Sequence, residues 1–296
     1  MSEIFKLGAG DALRGRLETT GFLPMPSVWD GLSARVATQA GFDALFVSGL
    51  CVSAARFGGP DLDLISFAEL LDALVMVREA APAALVMVDG DHGFGNALNV
   101  ERTVRAFGRA GAAAIMIEDK ASPRVLDAQE KLCLPRKEAV IKVRAAVEAS
   151  RESGMLVLAR TDCRPTLGLD EALARIALFV EAGADIVLLD APASEEEIVR
   201  SVAAARGRPA FGVVTGEPSR PPYSGRHAQS LGLRLGTFPF STLAPAMHGM
   251  REALAQLASE EGRPYAFDRA ALRHVLGYDA YATRAEAFTT QQTLVE

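Results

Sequence analysis

Three segments of the chain repeat one phrase: QAGFDALFVS (39–48), RAGAAAIMIE (109–118) and EAGADIVLLD (181–190). Each reads as a helix end, then Ala-Gly, then a short apolar run. Glycine just past a helix is the usual C-terminal cap, and an apolar run of this length suits a strand buried on both faces. The glycines stand at positions 41, 111 and 183, intervals of 70 and 72 residues. A βα unit takes about 30–40 residues, so each interval fits two units.

The intervening strands are in place as ALVMVD (84–89) and MLVLAR (155–160). With GFLPM near Gly21, AFGVV near Phe211 and LGLRLG near Leu231, eight strands can be counted. Helical patterns fill the gaps, most clearly SFAELLDALVMVREA, where Ser66 and Glu69 have capping-box spacing. Strict strand–helix alternation implies a parallel sheet, and eight pairs imply an α/β fold of the (β/α)8 TIM barrel type. The barrel is expected over about residues 20–260, with a helical extension at 261–296, all in one domain of 296 residues. A doubly wound open sheet is the competitor, but no GxGxxG follows the first strand.

A composition of 49% hydrophobic and 23% charged residues supplies a large globular core. The net charge of −6 lacks the electrostatic footprint for nucleic acid or an anionic membrane. No signal-like segment or run of transmembrane length is present, and Cys51, Cys133 and Cys163 form no CxxC pair. The expectation is a cytoplasmic protein.

In a barrel the chemistry sits at the C-terminal ends of the strands. Those ends read Ser48-Gly49, Asp89-Gly90-Asp91-His92, Glu118-Asp119-Lys120, Arg160-Thr161-Asp162 and Asp190. Several carboxylates and one arginine therefore converge on a single mouth. Like charges at close range need a cation between them. An oxygen-rich cluster without cysteine or paired histidine suits a hard cation, Mg2+ or Mn2+. The bland alternative is a solvated rim of ion pairs, and Glu118-Asp119-Lys120 alone could be one. Arg160 ends an apolar strand and needs an anionic partner, either a protein carboxylate or a bound substrate. His92 is a candidate acid–base group or a loop histidine bonded to backbone. His227, His248 and His274 fall in helical stretches, and neither Cys133 nor Cys163 has a suitably placed histidine for nucleophilic work.

The ordered set GGPD (58–61), DGDHGFGNALNVERTV (89–104), IED (117–119), ARTD (159–162) and EAGAD (181–185) resembles the phosphoenolpyruvate mutase/isocitrate lyase superfamily. The resemblance implies a barrel whose last helix is exchanged with a partner subunit, usually in a tetramer. It also implies a magnesium site and substrates that are α-keto acids or form them. Carried onto this chain, Asp89 looks like the direct metal ligand, and Asp61, Asp91 and Glu118 look like ligands acting through water. Arg160 resembles the arginine that grips the substrate carboxylate, and Ser48-Gly49-Leu50 resembles its backbone cradle.

Within the superfamily, the lyases carry a KKCGH loop. Here the matching loop is QEKLCLPRKEAV (129–140), with Lys131 at the catalytic cysteine's position and Cys133 at the histidine's. That argues against an ordinary isocitrate or methylisocitrate lyase. DHGFGNALNVERTV resembles most the oxaloacetate decarboxylase branch, whose further pocket histidine aligns with Phe240, a departure from the pattern. The first expectation is Mg2+-dependent decarboxylation of oxaloacetate or a close analogue by a homo-oligomer. The alternatives are a carbon–carbon lyase of the 2-methylisocitrate/dimethylmalate type, a phosphonomutase or phosphonopyruvate hydrolase, and a barrel that binds a dicarboxylate without turning it over.

Overall fold

Apolar runs, capped helices and Ala-Gly turns build the repeats in a computed structural model that describes residues 8–123, 132–217, 220–259 and 261–292. In chain order the elements are α1 (Ala9–Thr19), β1 (Leu23–Val28), α2 (Gly31–Gln39), β2 (Ala44–Val47), α3 (Gly49–Phe57), α4 (Phe67–Ala80) and β3 (Leu85–Asp89). There follow α5 (Ala97–Arg109), β4 (Ala114–Glu118), α6 (Arg136–Ser150), β5 (Leu156–Thr161), α7 (Arg164–Leu167), α8 (Leu169–Glu181) and β6 (Ile186–Leu189). The last are α9 (Glu195–Ala204), β7 (Phe211–Val213), α10 (Gly225–Ser230), β8 (Leu235–Phe238), α11 (Pro239–Leu257), α12 (Arg269–Leu276) and α13 (Tyr278–Gln292).

The eight strands form one sheet in the order β6-β5-β4-β3-β2-β1-β8-β7, every pairing parallel. A single bridge between Val187 and Ala210 spans the remaining gap between β6 and β7, with Val187 N donating to Pro209 O at 3.1 Å. The sheet is thus a nearly closed (β/α)8 barrel. The three repeated glycines do what the sequence required: Gly41, Gly111 and Gly183 have φ of 92°, 87° and 101°, a turn out of the helix that a side chain would strain. Ser66 and Glu69 close their capping box at the start of α4.

Strand alternation sorts the core into two layers. Ala44, Phe46, Leu85, Met87, Ala114, Met116, Leu156 and Leu158 point into the barrel. Their neighbours Leu45, Val47, Val86, Val88, Ile115 and Val157 point outward against the helices. Leu13 and Leu17 of α1 plug the N-terminal end of the interior. The plug needs glycine at position 10, where a Cβ would overlap the carbonyl oxygen of Gly154.

Two features differ from the expected layout. The eighth strand begins at Leu235, late in LGLRLG, because Leu233 packs outward against the α8–α9 layer after α10 ends. Beyond Pro239 no described residue is buried, although α11 and α12 contact β1 and α2. No described helix is long and apolar enough to cross a membrane.

Candidate active site

The same alternation that fills the barrel also decides what crowns it. Counting on by two from the inward residues gives Ser48 after Phe46, Asp89 after Met87, Glu118 after Met116, Arg160 after Leu158 and Asp190 after Leu188. Five polar or charged side chains therefore form the top inward layer without any special loop geometry. Above them lies a cavity of about 700 Å3 that Ser48, Asp61, Asp89, Arg160 and Asp190 help to line.

Arg160 is the centre of this layer. Its Nε and Nη2 donate to the two oxygens of Asp162 at 2.9 and 2.7 Å, a bidentate fork. Nη2 also lies 3.0 Å from Asp190, and Nε lies 3.2 Å from Glu118. These carboxylates hold its pKa well above the ordinary arginine value against the opposing effect of burial, so the side chain stays charged. Nη1 makes no hydrogen bond to a described protein residue, and Arg160 lines the cavity. The partner expected for this arginine is therefore protein on one edge, and the other edge is left for a ligand.

Asp89 and Asp91 stand side by side after β3. Asp89 accepts from the backbone N–H groups of Asp91 at 3.0 Å and of Gly49 at 3.3 Å. Burial, reinforced by Glu118, raises the Asp89 pKa to about 6. Burial and the Asp89 charge raise Asp91 as well. On the far side Lys120 collects three carboxylates, with Nζ 2.5 Å from Glu118, 2.7 Å from Asp63 and 3.7 Å from Asp91. Burial works against its charge, but Glu118 and Asp91 outweigh that and raise its pKa. Lys120 neutralises one side of the cluster only. The Asp89 side, facing the cavity, has no ion-pair partner among the described residues.

Backbone strain concentrates at this mouth. Asp63, Asp91, Phe94 and Ala191 have φ of 61°, 44°, 60° and 49°, all in loops at the C-terminal ends of the strands. Each such residue costs of order 1–3 kcal/mol, which the surrounding structure must sustain.

The sequence-derived residues divide into three groups. Ser48, Leu50, Asp61, Asp89, Arg160 and Phe240 line the cavity, with Asp61 exposed at its rim. Glu118 and Asp91 lie just behind that lining, within the Lys120 cluster. Gly49 turns its N–H to Asp89 rather than to the cavity, leaving the Leu50 N–H as the cradle donor without a described acceptor. His92 is not among the lining residues. Its ring packs on Phe94, and its buried Nδ1 has no hydrogen-bond partner. Burial, then Lys142 and Lys120, lowers its pKa to about 4, so the imidazole is neutral. Cys133 is half-buried beside Lys120, and burial raises its thiol pKa as it does that of Cys163. Lys131 and residues 129–130 of the lyase-type loop lie outside the described residues.

Asp63 and Lys120 belong to the site, although the strand-end pattern does not assign either a role. The signal for Asp63 was present as a second D-x-D, Asp61-Leu62-Asp63, ahead of the capped α4. Asp190 reads in the sequence only as a strand end.

Among the described residues, no three His, Cys, Asp or Glu side chains are arranged to hold an ion directly. The donor set still suits a hard cation that retains its waters and takes few direct protein ligands. It consists of carboxylates alone, two of them have raised pKa values, and the buried Asp63 Oδ2 lacks any partner. Asp89 and Asp61 line the cavity, with Asp91 and Glu118 just behind, so these four carboxylates are the residues that could hold such an ion.

Away from the charged layer the lining is mostly apolar, with Leu189, Phe211, Val213 and Phe240 beside Thr215 and Thr237. Of the three lining arginines, Arg164 is engaged bidentately by Glu197 at 2.9 and 2.7 Å, and Arg220 lies 3.3 Å from Glu217. A ligand therefore meets charge at one end and hydrocarbon at the other.

Residues 13–258 match the phosphoenolpyruvate phosphomutase family. The chain is 41% identical over 192 residues to the petal death protein of Dianthus caryophyllus, covering 64% of this chain and 60% of that protein. It is 32% identical over 247 residues to an oxaloacetate decarboxylase of Rhodopseudomonas palustris (strain BisB5), covering 83% of each. The fold superposes on the crystal structure of 2,3-dimethylmalate lyase with a TM-score of 0.88 and 33% identity, over 95% of this chain and 96% of that one.

Proposed function

Because the chain belongs to the phosphoenolpyruvate mutase/isocitrate lyase superfamily, we propose that it is a Mg2+-dependent enzyme cleaving the bond β to the keto group of a small α-keto acid. Decarboxylation of oxaloacetate to pyruvate and CO2 is the reaction the cavity suits best. The observation that carries this reading is the division of the cavity into a charged floor and an apolar wall, with one guanidinium edge uncommitted.

Magnesium (or manganese) at Asp89, supported by Asp61, Asp91 and Glu118, would supply Lewis acidity toward the keto and carboxylate oxygens of the substrate. The chain's own residues do the rest. Arg160 Nη1 and the Leu50 N–H bind the C1 carboxylate, and Asp162 holds the arginine in plane. The second carboxylate then lies against Phe211, Val213 and Phe240, with the lining arginines Arg164 and Arg220 already paired to Glu197 and Glu217. An apolar wall favours loss of that charge as neutral CO2. The C3–C4 bond breaks, its electron pair moves toward the keto oxygen, and solvent returns a proton to C3. Phe240 cannot deliver that proton, and His92 does not line the cavity.

The apolar wall also favours a second reading, cleavage of an alkyl-substituted malate, since hydrocarbon substituents would be buried there at no electrostatic cost. Pyruvate formation from oxaloacetate with Mg2+ tests the first reading. The controls are EDTA and the same metal without protein, because free divalent metal decarboxylates this substrate unaided. Turnover above that background, lost in Arg160→Ala, supports the decarboxylase. Turnover of 2,3-dimethylmalate in its place supports the lyase, and metal-dependent binding without turnover of either supports the silent barrel.

The proposal extends to assembly and compartment. The uncovered α11–α13 segment fits a homo-oligomer in which a second copy covers it. Cys51 and Cys163, both buried thiols, fit a reducing cytoplasm.

A further inference from the structure

Arg175 lies on α8, outside the barrel wall, and does not line the cavity. It is nevertheless 2% exposed, and its ion-pair partner Asp119 is 1% exposed. Burying two charges together is an expensive way to hold a helix on a strand, since desolvation offsets most of the Coulombic gain. Its hydrogen bonds lead in one direction. Arg175 Nη1 donates to Asp119 Oδ2 at 2.9 Å, and the same oxygen accepts from Thr161 Oγ1 at 2.7 Å. Asp119 Oδ1 accepts from the backbone N–H of Asp162 at 2.8 Å. Asp162 is the residue whose carboxylate forks Arg160. On its other edge Arg175 Nε donates to Glu171 at 2.9 Å, and Glu171 is itself paired with Arg136 at the start of α6.

We propose that Arg175 is a positioning residue for Arg160, fixing the Thr161–Asp162 turn through Asp119 so that the guanidinium presents its uncommitted edge to the substrate carboxylate. The inference rests on the proposed role of Arg160 as the carboxylate grip. Without Arg175, Asp119 becomes a buried uncompensated carboxylate. It then rotates away from the Asp162 N–H, and the Asp162 fork loses its fixed direction. Direct partners of a binding group are worth about 10–100-fold in affinity or activity, and Arg175, which acts through Asp119 and Asp162, belongs at the low end of that range.

The test compares two probes on the full chain: Mn2+ alone, followed by paramagnetic resonance, and oxalate in saturating Mn2+, followed by calorimetry. Arg175→Met should bind Mn2+ within about twofold of wild type but oxalate about tenfold more weakly. Arg175→Lys, which reaches Asp119 without spanning to Glu171, should recover part of the loss. Equal oxalate affinity in Arg175→Met and wild type overturns the inference. So does a parallel loss of Mn2+ and oxalate, which is what general loosening of the barrel would give. If Arg175→Met does not fold, Glu171→Gln at the outer end of the relay should weaken oxalate by less than Arg175→Met would, with Mn2+ unchanged, and no change there counts against it. Undiminished oxalate binding by Arg160→Ala removes the grip itself and this inference with it, a result distinct from failure at Arg175 alone.

Discussion

Glu118 and Arg160 are register partners on β4 and β5, and Arg160 Nε lies 3.2 Å from Glu118 Oε2. The pair sits where two buried strands deliver inward side chains at the same height, directly over Met116 and Leu158. Arg160 is shared further with Asp162 and Asp190, and Glu118 is shared with Lys120. Among the described residues, two cations thus serve a larger number of carboxylates, and Asp89, on the side open to the cavity, has no ion-pair partner there.

Arg160→Met leaves those carboxylates without their shared cation. Removing one partner of a buried pair costs about 3–5 kcal/mol, and that range is expected here at pH 8. Urea unfolding of the variant and wild type measures it. A loss well below that range would mean that the guanidinium is not what holds these charges.

Asp89 gives a pH dependence of defined sign. Its folded-state pKa is about 6 against an ordinary 3.8. Between those values the folded protein holds a proton that the unfolded chain has released, so this group's contribution to stability falls as pH rises through the window. A cation at the carboxylate removes that loss. Mg2+ should therefore raise the Tm more at pH 7.5 than at pH 5. Asp89→Asn should raise the Tm of the metal-free protein at pH 7.5, abolish the Mg2+ response and lose turnover. A Mg2+ shift of the same size in wild type and variant would place the ion elsewhere.

His92 acts in the opposite sense. Its pKa is lowered from 6.5 to about 4. Between those values the unfolded chain binds the extra proton, so the contribution of His92 to stability is lost as pH falls through the window. Substituting a residue that does not titrate removes that loss. The Tm of His92→Gln relative to wild type should thus be more favourable at pH 5 than at pH 8. The reverse order would mean that the imidazole is charged in the folded state. Oxaloacetate turnover should fall only modestly in this variant, since the ring does not reach the cavity wall.

The charged floor was readable because period-two alternation in a buried strand needs no tertiary information: once Phe46, Met87, Met116 and Leu158 face inward, Ser48, Asp89, Glu118 and Arg160 must follow. Asp63 was not, because it reaches Lys120 from a loop with positive φ, across 57 residues of sequence. Arg175 was hidden for another reason. On an amphipathic helix an arginine reads as solvated face, and only packing against Asp119 reveals it as buried. The late start of β8 has a similar origin, since alternating leucines suit a strand and a helix-to-strand turn equally well.

The last prediction concerns the segment that the barrel leaves uncovered. Of 23 large apolar side chains exposed among the described residues, twelve follow residue 239, including Met250 at 60%, Leu254 at 63%, Phe267 at 64% and Phe288 at 62%. So many exposed large apolar side chains in one segment call for a cover, and a second copy is the occupant proposed for it. Met250 and Leu254 are one turn apart on α11 and share a face. Met250→Asp combined with Leu254→Asp should convert an oligomer into monomers at about 10 μM, a concentration that saturates ordinary obligate interfaces. Both side chains are exposed and outside the buried core, so far-ultraviolet circular dichroism should keep its αβ character. Sedimentation velocity decides the matter: a wild-type chain that sediments as a monomer at that concentration removes the second copy as the partner of this face. An oligomer that survives both substitutions moves the interface to another surface.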